Sequence, residues 1–281
     1  MAAIIEAQNA GFAYAGSSNP VLTDLSFEVS KGQFVILTGP TGSGKTTLLR
    51  MLQGLIPHFH KGTLTGEVLV DGINTLQGSI ASNARRVGYI FQNPELQVIG
   101  TTIERDVAFG LENLAIEPIV VRHAVQDVLK ALSLDQLSNQ HPSQLSGGEL
   151  RLVSLASILV MQPKILLLDE ATTYLDAANV EKLMDILQNL KQKGFTIIYS
   201  GHNLVQILPL ADLIWVINDG QLAHAGSPEE VLITQDAAKL VLVPHLVQCF
   251  LRLQDQLPER HIPIPRSVSS ALRWLEKNNL P

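Results

Sequence analysis

Residues 37–50 read "LTGPTGSGKTTLLR", which sets Gly39, Pro40, Thr41, Gly42, Ser43, Gly44, Lys45, Thr46 and Thr47 between two apolar patterns. Val35, Ile36 and Leu37 read as the end of a buried strand, while Leu48, Leu49 and Met51 begin a helical spacing. The glycines therefore fall at a strand-to-helix turn, where positive φ and close backbone approach let successive N–H groups converge on an anion. The helix that follows contributes its unsatisfied N–H groups and the positive end of its dipole, and Lys45 a full charge. Gly39, Gly44, Lys45 and Thr46 fit G-x-x-x-x-G-K-[ST], in which the lysine reaches the β- and γ-phosphates and the Thr46 hydroxyl ligates Mg²⁺. A triphosphate suits such a cradle.

That chemistry needs a metal partner and a water activator, and "ILLLDE" offers both at the end of an apolar strand, in Asp169 and Glu170. Two adjacent carboxylates at a buried strand end are costly unless a cation compensates, so Asp169 is expected to organise Mg²⁺. Strand alternation sends Glu170 to the other side, where it can orient and deprotonate a water. The stretch "QLSGGELRLVSLASIL" places Ser146, Gly147 and Gly148 at the entrance of an apolar helix. It reads either as a second anion site or as an N-cap that simply starts a buried helix.

The elements around these residues indicate an α/β chain. Ile4–Val29 alternates apolar and polar positions and "GEVLVDG" repeats the pattern, so an antiparallel β subdomain is expected beside the phosphate loop. After "VGYIF" the pattern turns helical, giving a helical insertion over about 93–160. Strands and helices then alternate through "KILLLDEA", "FTIIYSGH" and "DLIWVINDG", as in a mostly parallel sheet. "SPEEVL" reads as an N-capped helix opening an appendage over 227–281, after a main domain over 1–226.

The 281 residues are 46% hydrophobic and carry a net charge of −6, with basic residues scattered. This argues against a nucleic-acid partner and against direct binding to anionic lipid. Neither a basic leader nor an apolar run of membrane-spanning length is evident, so a cytoplasmic location is expected, with any membrane role running through protein contacts. The single cysteine, Cys249, lies in a helix-like stretch and reads as a buried structural thiol. His58 and His60, in "GLIPHFHKG", lack a third ligand and read as a solvated loop.

The order of phosphate loop, Gln92 after a strand, L-S-G-G, L-L-L-D-E, Leu175–Asp176 and His202 after "TIIYS" resembles the ATP-binding cassette (ABC) family over nearly the whole chain. The resemblance implies a P-loop NTPase core, ATP and Mg²⁺ as ligands, and ATP hydrolysis by a head-to-tail dimer. It gives Gln92 the role of sensing metal and water, Asp176 a place at the dimer interface, and His202 a contact to the γ-phosphate. Ser146 and Gly148 would close on the nucleotide of the facing subunit. Tyr14 resembles the aromatic that stacks on adenine, with Phe12 on the same strand face as a rival.

Around Gln92, "FQNPELQVIGTTIERDVAFGLENL" is similar to the ATPases of energy-coupling-factor (ECF) transporters. That likeness implies an identical or related second ATPase, a transmembrane coupling protein and a substrate-binding membrane protein as partners. Its cargo would be a vitamin, vitamin precursor or transition-metal ion, and its place the cytoplasmic face of the membrane. A soluble or non-transport cassette ATPase is the alternative. Three positions depart from the pattern: Glu149 stands where the family has glutamine, Tyr174 sits inside the D-loop, and "SGHN" replaces T-H-D.

Overall fold

The computed structural model describes residues 3–173, 175–257 and 262–278; Tyr174 lies outside the described residues. The chain opens with β1 (Ala3–Tyr14) and β2 (Leu22–Ser30), passes β3 (Phe34–Thr38), α1 (Lys45–Gln53), β4 (Gly62–Val70) and β5 (Ile73–Asn74), and reaches α2 (Ile80–Ala84) and β6 (Val87–Ile90). Helices α3 (Ile103–Asn113), α4 (Pro118–Ala131) and α5 (Gly147–Leu159) follow, then β7 (Ile165–Asp169), α6 (Ala177–Gln192), β8 (Thr196–Ser200), β9 (Leu213–Asn218) and β10 (Gln221–Gly226). Four helices close the chain: α7 (Pro228–Leu232), α8 (Gln235–Leu240), α9 (His245–Gln256) and α10 (Val268–Lys277).

Two sheets divide the strands. One is antiparallel, in the order β2-β1-β4-β5. The other runs β10-β9-β3-β8-β7-β6, parallel except for β10 at its edge. Strands β3, β7 and β8 are buried at every position, which is why their sequences are continuous apolar runs rather than alternating ones. One core cluster packs α3, α4, α5 and α6 on one face of this sheet, and a second joins its other face to α1 and the antiparallel sheet.

A smaller cluster forms around Phe250, Ile262 and Ala271, with Phe250 and Trp274 rings 5.6 Å apart. In α9, Val247 and Phe250 point inward at a three-residue spacing, so Cys249 between them faces out. The thiol expected to be buried is exposed. The segment is fastened to the sheet layer by Arg266, which donates to Glu229 through Nε (3.0 Å) and Nη2 (2.9 Å) and to the Ala211 carbonyl through Nη1 (2.8 Å). Burial of Glu229 works against its charged form, but these bonds hold its carboxyl below the usual range.

A depressed carboxyl pKa means that the ion pair contributes above the unfolded-state pKa and is lost as pH falls through the lowered folded value. Arg266→Ala, or acidification through that window, should therefore speed amide hydrogen exchange across α10 several-fold, while β3, β7 and β8 keep their protection. Equal loss of protection in those strands would show that the contact supports the whole fold rather than the attachment of the C-terminal segment.

Candidate functional site

Four of the singled-out segments meet because the strands before them are neighbours in register. Leu37 of β3 and Asp169 of β7 both pair with Ser200 of β8, and Ile90 of β6 pairs with Leu168 of β7. Beyond the strand ends, Gly201 N–H donates to the Leu37 carbonyl at 3.1 Å and Glu170 N–H to the Ser200 carbonyl at 3.0 Å. The phosphate loop, Gln92, Glu170 and His202 thus emerge side by side at the carboxyl edge of the parallel strands, where open α/β sheets bind ligands.

In the loop, Gly39, Gly42 and Gly44 have φ of 137°, 81° and 109°. A Cβ on Gly39 would lie 2.0 Å from the Ile217 carbonyl oxygen, whereas one on Gly42 would meet open space. The first glycine is needed for packing, the second for its left-handed turn. Lys45 is only 6% exposed, and its ammonium donates to the Gly39 and Pro40 carbonyls at 2.9 and 2.8 Å. Burial lowers its pKa, while the charges of Glu170 and Asp169 act the other way. Ser43 Oγ is buried without a hydrogen-bond partner. A nest with a buried cation and an unpaired donor fits a phosphate chain.

Thr46, Gln92 and Asp169 line one cleft. Their hydroxyl, amide and carboxylate oxygens are the hard donors that suit Mg²⁺. Asp169 is 3% exposed and accepts from the Tyr89 hydroxyl at 3.0 Å. Burial, then the Asp169 charge and hydrogen bond, push the Tyr89 pKa up, so the phenol remains a donor. Among the described residues no group of three His, Cys, Asp or Glu side chains is placed to hold a metal ion by itself. The half-buried His58 instead hydrogen-bonds the Thr75 carbonyl at 3.0 Å.

Glu170 is not aimed by strand alternation, because β7 ends at Asp169 and Glu170 takes a left-handed φ of 47°. For a residue other than glycine that conformation costs about 1 kcal/mol or more, and such strain persists where the surroundings fix it. Here the surroundings are Gln92 Nε2, donating to one carboxylate oxygen at 2.8 Å, and His202 Nε2, 3.3 Å from the other. Thr173 Oγ1 is a weaker third neighbour at 3.5 Å.

Ser146 does cap α5. Its hydroxyl accepts from Glu149 N–H at 3.3 Å and donates to the Glu149 carboxylate at 2.8 Å, which also accepts from Ser146 N–H at 2.8 Å. The backbone and then the hydroxyl of Ser146 keep the Glu149 pKa low. Glu149 therefore folds back onto its own cap. Gly147 is exposed, and a Cβ on Gly148 would come within 2.4 Å of the Asn179 amide. Asn179 in turn donates to Asp176, which caps α6, at 2.8 and 3.0 Å. Ser146, Gly148 and Asp176 are linked within one chain.

Of the two rival rings, Phe12 is 1% exposed and belongs to the core, while Tyr14 is half-buried and shares a hydrogen bond of 3.2 Å with Thr47 Oγ1. Tyr89, Thr173 and Arg151 join the site without a motif in the sequence to mark them. Arg151 is 2% exposed and donates to the carbonyls of Phe91 and Gln92. A charge inside the apolar run "LRLVSLASIL" was its one available signal.

Residues 22–173 match the family model described as ABC transporter. The chain is 42% identical over 229 residues to a putative ABC transporter ATP-binding protein of Pyrococcus abyssi, covering 81% of this chain and 82% of that one. It is 35% identical to the energy-coupling factor transporter ATP-binding protein EcfA1 of Lactobacillus johnsonii (95% and 93% covered) and 36% identical to EcfA of Methanocaldococcus jannaschii (91% of each). Among solved structures, cbiO1 of Clostridium perfringens, described as part of the ABC transporter complex cbiONQ, shares the fold at a TM-score of 0.75 and 24% identity, over 92% of this chain and 100% of that one. A dimeric ATP-binding cassette in a post-hydrolysis state with ADP and Pi aligns at a TM-score of 0.70 and 27% identity, over 79% and 98%. With its phosphate nest, its paired carboxylates and these relatives, the chain belongs to the ABC transporter family as a P-loop ATPase.

Proposed function

We propose that this ATPase is the motor subunit of an ECF-type ABC importer, working as a homo- or heterodimer with a transmembrane coupling protein and a substrate-binding membrane protein. The cargo class would be a vitamin, vitamin precursor or transition-metal ion, and the subunit would sit on the cytoplasmic face of the membrane through its partners. The carrying observation is an apolar surface beside the catalytic side chains: Gln92, hydrogen-bonded to Glu170, shares a cleft with Phe59, Phe91 and Leu96. Phe59 and Leu96 are 69% and 74% exposed, a composition suited to receiving an amphipathic coupling helix. The relatives named as ECF ATP-binding proteins, which align along almost the whole chain, support the same reading. No helix of the described residues is long and apolar enough to cross a membrane.

In this reading Lys45 and the N–H groups from Thr41 to Thr47 hold the β- and γ-phosphates, and Tyr14, steadied by Thr47, stacks on adenine. Thr46, Asp169 and Gln92 would hold Mg²⁺, which when bound would draw charge off the phosphate oxygens. Glu170 takes the proton of the attacking water as its oxygen bonds to the γ-phosphorus and the bond to the β–γ bridging oxygen breaks, leaving ADP and Pi. Gln92 and His202, which hold the two Glu170 oxygens, would then turn to the water and the γ-phosphate. Ser146 and Gly148 close on the partner's nucleotide, Asp176 lies at that interface, and residues 227–281 add a second contact between subunits.

Glu170→Gln should bind ATP and lose roughly a hundredfold or more in turnover; parental turnover in the assembled complex would remove Glu170 from the role of base. Lys45→Ala should instead weaken ATP binding itself by roughly tenfold or more, read by nucleotide titration.

Ser146 has one hydroxyl proton, which it donates in a hydrogen bond to the Glu149 carboxylate, and that carboxylate places a negative charge at the end of α5 proposed to face the partner's phosphates. Glu149→Gln should raise turnover by roughly twofold, within the range of a charge at a helix terminus. An unchanged rate together with unchanged ATP-induced dimerisation would mean that the carboxylate has no influence on closure.

Affinity purification from detergent-solubilised membranes of the native host should recover a second or identical ATPase with two polytopic proteins. Substitutions at Glu95 or Gln97 should reduce that recovery with ATP binding by the isolated subunit nearly intact. Recovery of soluble partners alone would overturn the importer reading in favour of a non-transport ATPase.

A further inference from the structure

Arg151 is a buried cation without an anion in contact. At 2% exposure it forms no ion pair among the described residues, and burial pushes its pKa down, with the charges of Tyr199 and Asp169 opposing. Taking a guanidinium out of water is costly unless its N–H groups are well placed. Two of them are: Nη1 and Nη2 donate to the carbonyls of Phe91 and Gln92, while Nε is buried without a partner. Two consecutive peptide units held by one planar fork are fixed in both position and orientation, which the single charge of a lysine cannot do.

What those peptide units carry makes the contact informative. On one side, Gln92 Nε2 donates to Glu170 at 2.8 Å. On the other, Phe91 N–H donates to Gln97 Oε1 at 3.2 Å, and Gln97 Nε2 to the Tyr89 carbonyl at 3.0 Å, so the segment is braced toward β6 as well. Arg151 itself stands in the first turns of α5, whose N-terminus is Ser146–Gly147–Gly148. The same helix therefore bears the turn proposed to meet the partner's nucleotide and the guanidinium that holds the backbone of Gln92.

We propose that Arg151 is a positioning residue for ATP hydrolysis: it locks the Phe91–Gln92 main chain to α5, so that displacement of Ser146–Gly148 on dimer closure carries the Gln92 amide from Glu170 to the attacking water. This rests on the dimeric ATPase reading above. No group of Arg151 touches the reacting atoms, and its whole effect runs through Gln92.

The test is a double-mutant cycle in the full chain, using Arg151→Lys, Gln92→Ala and the pair, with steady-state ATP turnover, KM for ATP, nucleotide binding and thermal unfolding measured for each. Arg151→Met repeats the cycle with a neutral side chain of similar volume, which a buried site tolerates better than an unpaired charge. Arg151→Lys should lower kcat by about tenfold with ATP binding changed by less than about twofold, and should cost nothing further once Gln92 is alanine. A cycle in which the two losses multiply would overturn the proposal and leave Arg151 as a support of the fold. So would a fall in kcat that tracks thermal stability in both Arg151 variants. Glu170→Gln run in parallel separates the failures: if that variant retains parental turnover, the underlying assignment of the site fails, and if it is inactive while the cycle is additive, only the role of Arg151 does.

Discussion

The constraint on which the site depends is that β3, β8, β7 and β6 end level with one another. Parallel register leaves no freedom here: Leu37 and Asp169 flank Ser200, and Ile90 flanks Leu168. Each strand is buried and apolar to its last residues, so the first polar group after each is forced out at the same edge. Four short segments, up to 164 residues apart in the chain (from Thr38 to His202), become one site without any of them having to be long. The helices between them serve to cover the two faces of the sheet and to return the chain to its starting edge.

At that edge the electrostatics are unbalanced in a useful way. Lys45 is held on two carbonyls beside two carboxylates, and its burial disfavours the charge that those carboxylates favour. Asp169 is steadied by a neutral phenol rather than by a cation, and Glu170 by an amide and an imidazole. The two contacts to Glu170 are single hydrogen bonds at a partly open position, whereas those of Lys45 and Asp169 are buried. Glu170, with its left-handed φ, lines a different cleft from the one that Asp169 lines.

Much of this was legible in the sequence, where chemistry and chain are local. The glycine loop, the D-E pair at the end of an apolar run and the Ser146 cap each declare themselves within a few residues, and the strands in continuous apolar runs follow from burial on both faces. Three things were not legible. Cys249 was misplaced because an amphipathic helix hides only part of its circumference, and in α9 the inward positions are Val247 and Phe250. The side of Glu170 was inferred from strand alternation one residue past the end of the strand. Arg151 was missed because its partners are backbone carbonyls some 60 residues earlier, and a carbonyl leaves no mark on the sequence.

Backbone partners of that kind explain how a site built at a rigid edge can still respond to movement elsewhere. The strands cannot shift without breaking the core, but Gln92 stands beyond the end of β6, where its side chain belongs to Glu170, its carbonyl to α5, and its neighbours Phe91 and Leu96 to an exposed apolar cleft. In the proposed reading, a displacement of any one of the three reaches the other two through a single peptide, with no extended pathway required. In that reading the surface that feels the nucleotide and the surface open to a partner are therefore separated by the length of one residue, which is the shortest mechanical link that the chain can provide.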